Sequence, residues 1–247
     1  MTPRLRLSLL DAMQKSTGGT SGQAMQDTIA LAQYAEELSY HRFWIVEHHA
    51  TPFEANPAPE VFATALAGAT RSIRIGVGGI LLNHYSPYKA AEWMRTLGVL
   101  FSGRIDAGFG RARIATLADI ALRRLREVEP PDDQDAQIRE AMGWLSHQLD
   151  ADSPFRAIRI MPDEPAGPMP WILAASEGSA LRAARYGIPL AFSAFIAPAL
   201  AAPAVTAYQR AFTPSPYAAG VSEPTPIIAL RVIVAETKEE AEDLAMP

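Results

Sequence analysis

The sequence predicts an α/β protein built on a parallel sheet. Short apolar runs alternate strictly with helical stretches, seven times over. Polar and titratable residues cluster where those runs end, the active face of such folds. The chain has 247 residues, 49% of them hydrophobic. That suits one domain, residues 1–247, of the size of an α/β barrel, roughly 250 residues.

Leu5-Arg6-Leu7-Ser8-Leu9-Leu10 reads as the first strand, followed by a loop at Gly18-Gly19. Thr20 with Gln23 resembles a capping box and opens a helix over 22–39. Residues 42–46 form the second strand, apolar on both faces as in a parallel sheet. A helix over 58–70 is expected to turn Val61, Ala65 and Leu66 inward. The third strand, 73–82, contains Gly76, Gly78 and Gly79, and Pro87 starts a helix reaching Phe101. Residues 104–110 make the fourth strand, and 115–150 are helical with a break at Pro130-Pro131. The Pro-, Asp- and Gly-rich stretch 151–170 predicts a surface excursion. Strand five (171–174), a helix (178–186), strand six (189–193), an Ala-rich helix ending near Phe212, strand seven (227–234) and a helix (238–245) complete the pattern. An open doubly wound sheet and a barrel share this alternation, and an eight-stranded barrel needs one strand more.

Lys and Arg number 22 against 27 Asp and Glu, a net charge of −5, and no basic stripe appears. Nucleic acid is therefore not an expected partner. The absence of cysteine excludes disulfides, thiolate metal sites and cysteine nucleophiles. No run approaches the roughly 18 apolar residues of a membrane span. The apolar stretch at the N-terminus is too short for a signal peptide. The expectation is a cytoplasmic protein with no membrane partner.

Phe43-Trp44-Ile45-Val46-Glu47-His48-His49 joins a buried strand to a carboxylate and two imidazoles. An imidazole titrates near neutrality and suits proton transfer, although adjacent histidines also serve as loop caps. Adjacent strand residues point to opposite faces, so His48 and His49 make a poor chelating pair, and no metal ligand is assigned. Arg111 follows Gly108-Phe109-Gly110, and arginine favours bidentate phosphate contact. Ala175-Ser176-Glu177-Gly178-Ser179 stands at a helix start, suited to an ordinary N-cap or to an anion. Gly78-Gly79 inside an apolar strand reads as a bulge or as a place for a flat ring against the main chain.

Several stretches carry a resemblance. They include Ala35-Glu36-Glu37-Leu38-Ser39-Tyr40, the segment His41 to His49, Arg74-Ile75-Gly76-Val77-Gly78-Gly79-Ile80, His84-Tyr85-Ser86-Pro87 and Gly103 to Arg111. In order and spacing they resemble the bacterial-luciferase-like flavin-dependent monooxygenases. The resemblance implies a TIM-like (β/α) barrel lacking its final strand–helix unit. It implies FMN, in reduced form as co-substrate, with the deazaflavin F420 as an alternative. His48 falls at the family's catalytic histidine, and Gly78-Gly79 at a non-proline cis peptide under the flavin ring. Arg111 and Ser176, with Ala175 beside it, fall at the phosphate contacts. The implied partners are O2, a small-molecule substrate, a separate flavin reductase and a second copy in a homodimer. The rival readings are a flavin binder without turnover and a metal-dependent barrel hydrolase using His48, His49 and His84.

Overall fold

The structure, a computed structural model, describes residues 5–110, 117–122, 133–165 and 167–245. The strands are β1 (Ser8–Asp11), β2 (Arg42–Ile45), β3 (Arg74–Leu81), β4 (Ile105–Gly110), β5 (Met169–Ala174), β6 (Leu190–Ser193) and β7 (Pro226–Ala229). The helices are α1 (Ser21–Glu37), α2 (Pro59–Ala69), α3 (Pro87–Leu100), α4 (Leu117–Leu122), α5 (Gln134–Ser146), α6 (Glu177–Tyr186), α7 (Pro198–Ala211) and α8 (Lys238–Ala245). All strand pairs are parallel and run in the order β1 to β7. A doubly wound sheet reverses its order at a switch point. This one does not, and the seven strands form a nearly closed TIM-like barrel.

Register sorts the side chains into two layers. Phe43, Ile75 and Ile105 are mutual neighbours in the ladder, as are Ile45, Val77 and Ala107. All are at most 2% exposed. This outer face packs on the helices, where Val77 and Ile80 meet Pro59 of α2 and Met94 of α3. The other face is the barrel interior. There Trp44 stacks edge-on against Trp171, with ring centroids 5.5 Å apart. A side chain at Gly76 or Gly78 would collide with the same indole, and one at Gly108 with the Val77 carbonyl.

The N-terminal end of the barrel is closed by charge. Asp106, fully buried, accepts from Arg42 Nε (3.0 Å), Arg74 Nε (2.9 Å), Arg74 Nη2 (2.7 Å) and Trp171 Nε1 (3.0 Å). The Arg42 guanidinium also lies 4.8 Å over the Trp171 ring. One carboxylate against two guanidiniums satisfies a buried charge on every side.

Three sequence expectations need correction. α2 turns Phe62, Ala63, Leu66 and Ala67 inward, while Val61 is 67% exposed and Ala65 is exposed. The 3.6-residue period allowed a one-position rotation, and Phe62 decided it by offering the larger apolar surface. The seventh strand stops at Ala229 rather than reaching Val234. Among the described residues it has no neighbour beyond β6, so Leu230, Val232 and Val234 keep strand-like alternation without a ladder and are exposed. The first strand is Ser8–Asp11 rather than 5–10, because only those residues pair with β2.

The excursion after α5 is pinned by Arg95 of α3. Its guanidinium is fully buried and donates to the carbonyls of Leu145 (2.8 Å), Pro162 (2.6 Å) and Glu164 (2.6 Å).

Candidate active site at the C-terminal mouth

The loop leaving β2 is tied down by Asn56. Its amide donates to Val46 O (2.8 Å), and its carbonyl accepts from His48 N (3.2 Å). A short antiparallel bridge between Gln14 and Glu54 fixes the far side of the loop. Glu54 Oε2 then sits 2.7 Å from His48 Nδ1. A carboxylate on Nδ1 orients an imidazole and leaves Nε2 free for proton transfer. The His48 side chain is 47% exposed, so a ligand at the mouth can reach it.

Glu47 and His49 turn the other way, towards the helices. Glu47 is 3% exposed and lies among Pro59, Glu60, Trp93 and Met94. Its Oε1 is 2.7 Å from His49 Nε2 and accepts from the Tyr85 hydroxyl (2.9 Å), while its Oε2 accepts from Leu81 N (3.1 Å). His84, in the 3₁₀ turn Leu82–His84 after β3, places Nδ1 3.7 Å from Glu47 Oε1 and Nε2 2.8 Å from Asp119 of α4. Burial lowers the His84 pKa, and the Glu47 and Asp119 carboxylates outweigh it, so the net direction is upward. Burial first, then Glu47, pushes the Tyr85 phenol up. Glu60 is also raised, by burial and then by the charge of Glu47.

The sequence placed Gly78-Gly79 at this mouth. Their peptide bond is cis, and the pairing with β4 shifts register between Gly78 and Ile80. A Cβ at Gly78 would lie 2.9 Å from Trp44, and one at Gly79 would lie 2.5 Å from Leu173 Cδ1 and 3.0 Å from Gly108 O. The side-chain room at both glycines is therefore used by packing inside the barrel.

Ser176 is the N-cap of α6, its hydroxyl accepting from Ser179 N at 3.3 Å. Gly178, next to it, has no neighbouring heavy atom within 4 Å of where a Cβ would be. An open helix start with free N–H groups and a hydroxyl fits the phosphate of a nucleotide cofactor. Ala175 joins β5 to this cap and is half-buried. Arg111 lies outside the described residues.

The structure thus sends His48 and Glu54 to the mouth, and brings Glu47, His49, His84, Tyr85 and Asp119 together behind the sheet. The sequence analysis assigns a catalytic role to His48 alone in this stretch and nothing to Glu54 or Asp119. The signal for Glu47 and His49 was their two-residue spacing, which puts both on one face. Asp119 carried none, being distant in sequence.

Residues 5–247 match the model of the luciferase-like monooxygenase family. The uncharacterized protein YceB of Bacillus subtilis is 37% identical over 98% of this chain and 72% of its own. The N-acetyl-S-alkylcysteine monooxygenase of the same organism is 37% identical over 78% of this chain and 58% of its own. Among solved structures, apo-MsnO8 is 38% identical with a TM-score of 0.85, covering 97% of this chain and 70% of that one. The oxygenating constituent of 3,6-diketocamphane monooxygenase from Pseudomonas putida, solved with FMN, has a TM-score of 0.70 at 18% identity, over 98% and 71% of the two chains. An F420-dependent secondary alcohol dehydrogenase has a TM-score of 0.66 at 14% identity, over 90% and 68%. The last two are likenesses of fold.

Proposed function

Because this chain belongs to the luciferase-like monooxygenase family, we propose that it is an FMN-dependent monooxygenase, using reduced flavin as co-substrate to oxidise a small organic molecule with O2. The observation that carries the reading is His48, oriented by Glu54 on one ring nitrogen and open at the mouth on the other side. When bound, reduced FMN supplies the electrons for oxygen activation, chemistry no side chain here provides. The protein's part is placement and proton transfer. The start of α6, with Ser176, would hold the phosphate. The main chain at Gly78–Gly79 would lie beside the bound ring. His48 Nε2 exchanges a proton with the reacting centre, and Glu54 stabilises the imidazolium that forms. Trp44, Leu173 and the Asp106 cluster keep water from entering from below.

A separate reductase is the source of reduced flavin in this reading. A homodimer is part of the same proposal. No described helix is long and apolar enough to cross a membrane. With a chain free of cysteine, this supports a cytoplasmic setting.

The test is a spectroscopic titration with FMN and, separately, with F420, followed by oxygen-uptake assays with reduced FMN and a panel of thioethers, aldehydes and ketones. Tight FMN binding with substrate-dependent oxygenation is the expected result. Binding without oxygenation across the panel would favour a flavin carrier, and preference for F420 would overturn the cofactor. Ser176→Ala is expected to weaken FMN and, as a lost N-cap, to cost about 1 kcal/mol of stability.

A further inference from the structure

We propose that Glu47, His49 and His84 form a binding site for a divalent transition-metal ion of the zinc class. The site lies on the helix side of the sheet, apart from His48. It stands independently of the flavin reading, whose tests do not involve it.

His84 carries the argument. Its side chain is 2% exposed, and Nδ1 has no hydrogen-bond partner. The other ring nitrogen, Nε2, is 2.8 Å from Asp119 Oδ1. A histidine that gives its N–H to a carboxylate in this way presents a fixed lone pair on the opposite nitrogen, the usual support behind a metal-ligating imidazole. That lone pair faces Glu47 Oε1 at 3.7 Å, and the Glu47 side chain is 1% exposed. With the shared proton on Nε2, Nδ1 and Glu47 Oε1 are two buried acceptors facing each other, and a cation between them would satisfy both.

The surroundings favour a cation. Glu47 and Asp119 both face His84, and Glu60 lines the same recess as Glu47. The Glu47, His49 and His84 ligand atoms all lie within 4.8 Å of one another. An ion with bonds of about 2.0–2.2 Å bridges atoms at that spacing after small side-chain adjustments. Two imidazoles and one carboxylate match zinc and its transition-metal neighbours, whereas calcium and magnesium favour oxygen donors. A bound ion would tie together the loop after β2, the turn after β3 and α4.

The sequence had assigned no metal ligand because it weighed His48 and His49 as the pair. The usable pair is Glu47 and His49, two residues apart on one face, completed by His84 from the turn after the neighbouring strand.

The experiment is calorimetric titration of chelator-treated protein with Zn²⁺, and with Co²⁺ followed by its visible spectrum. One ion per chain is expected, with a nitrogen–oxygen-ligated Co²⁺ spectrum. His84→Ala and His49→Ala should abolish uptake. His49→Gln serves where thermal unfolding shows an alanine variant to be misfolded. Asp119→Asn should weaken binding about 10–100-fold. His48→Ala should still take up one ion. The proposal is overturned if the folded protein takes up neither ion, if both His84→Ala and His49→Ala retain uptake, or if His48→Ala loses it. A folded protein with both His84 ring nitrogens protonated by NMR and no metal uptake would assign the gap to a shared proton instead.

Discussion

The indole of Trp44 fills the space that side chains at Gly76 and Gly78 would occupy. The two strands are in register, with Trp44 opposite Gly76, so the largest side chain in the barrel is paired with the smallest residue. Interiors pack at crystal density, and an added methyl has nowhere to go. Gly76→Ala should therefore destabilise the protein by about 1–3 kcal/mol in denaturant unfolding. Combining it with Trp44→Leu should recover part of the loss, and a double-mutant cycle with no coupling would sink this account.

His48 and Glu54 should separate in kinetics. His48→Ala is expected to lower turnover about 10²–10⁴-fold while FMN affinity stays within a few-fold. Glu54→Gln keeps the loop and a hydrogen-bond partner for Nδ1, so it should lower turnover less than His48→Ala. Rates and flavin affinities measured across pH for both variants check this.

Glu36 makes stability depend on acid. Its carboxylate accepts from the backbone N–H of Arg71 (3.0 Å), Ser72 (2.6 Å) and Ile73 (2.8 Å). Burial raises its pKa, but these bonds outweigh it and bring it from 4.5 down to about 2. A folded-state pKa below the unfolded one means the contribution is complete above about pH 4.5 and fades as pH falls towards 2. Because the carboxylate is largely exposed and Gln keeps an acceptor oxygen, Glu36→Gln should lower stability at pH 7 by only about 0.5–1 kcal/mol. Its stability should also be flatter than wild type between pH 5 and 2, as roughly expected from that linkage. Unfolding curves at several pH values provide the measurement.

Arg95 holds the excursion after α5. Arg95→Met keeps the volume but strands the carbonyls of Leu145, Pro162 and Glu164. A loss of roughly 3 kcal/mol or more is expected, with the Ile160–Glu164 stretch cut faster by protease than the barrel. Limited proteolysis with mass mapping decides it, and uniform digestion would rule it out.

The order of elements was legible in the sequence because buried parallel strands leave continuous apolar runs and helices leave a 3.6-residue period. Barrel closure was not, since alternation is the same in an open sheet. The strand order, running without reversal from β1 to β7, points to a nearly closed barrel rather than a doubly wound sheet. At the mouth, His48 was readable from its position at a strand end. Its partner Glu54 was not, because the bridge to Gln14 brings it back through an irregular loop. The same holds for His84 and Asp119, 35 residues apart and joined only by the fold. Gly76 and Gly78 were visible as anomalies, but what filled them, a side chain from the strand before, needed the register.

Asp106, held from below by Arg42 and Arg74 and capped by Trp171, makes the barrel a cup rather than a tube. Along its axis there is one rim, and His48 stands on it. A molecule travelling that axis meets the rim first, and a spent one retraces the path of its arrival. Two molecules that must meet inside such a cup cannot approach from opposite ends.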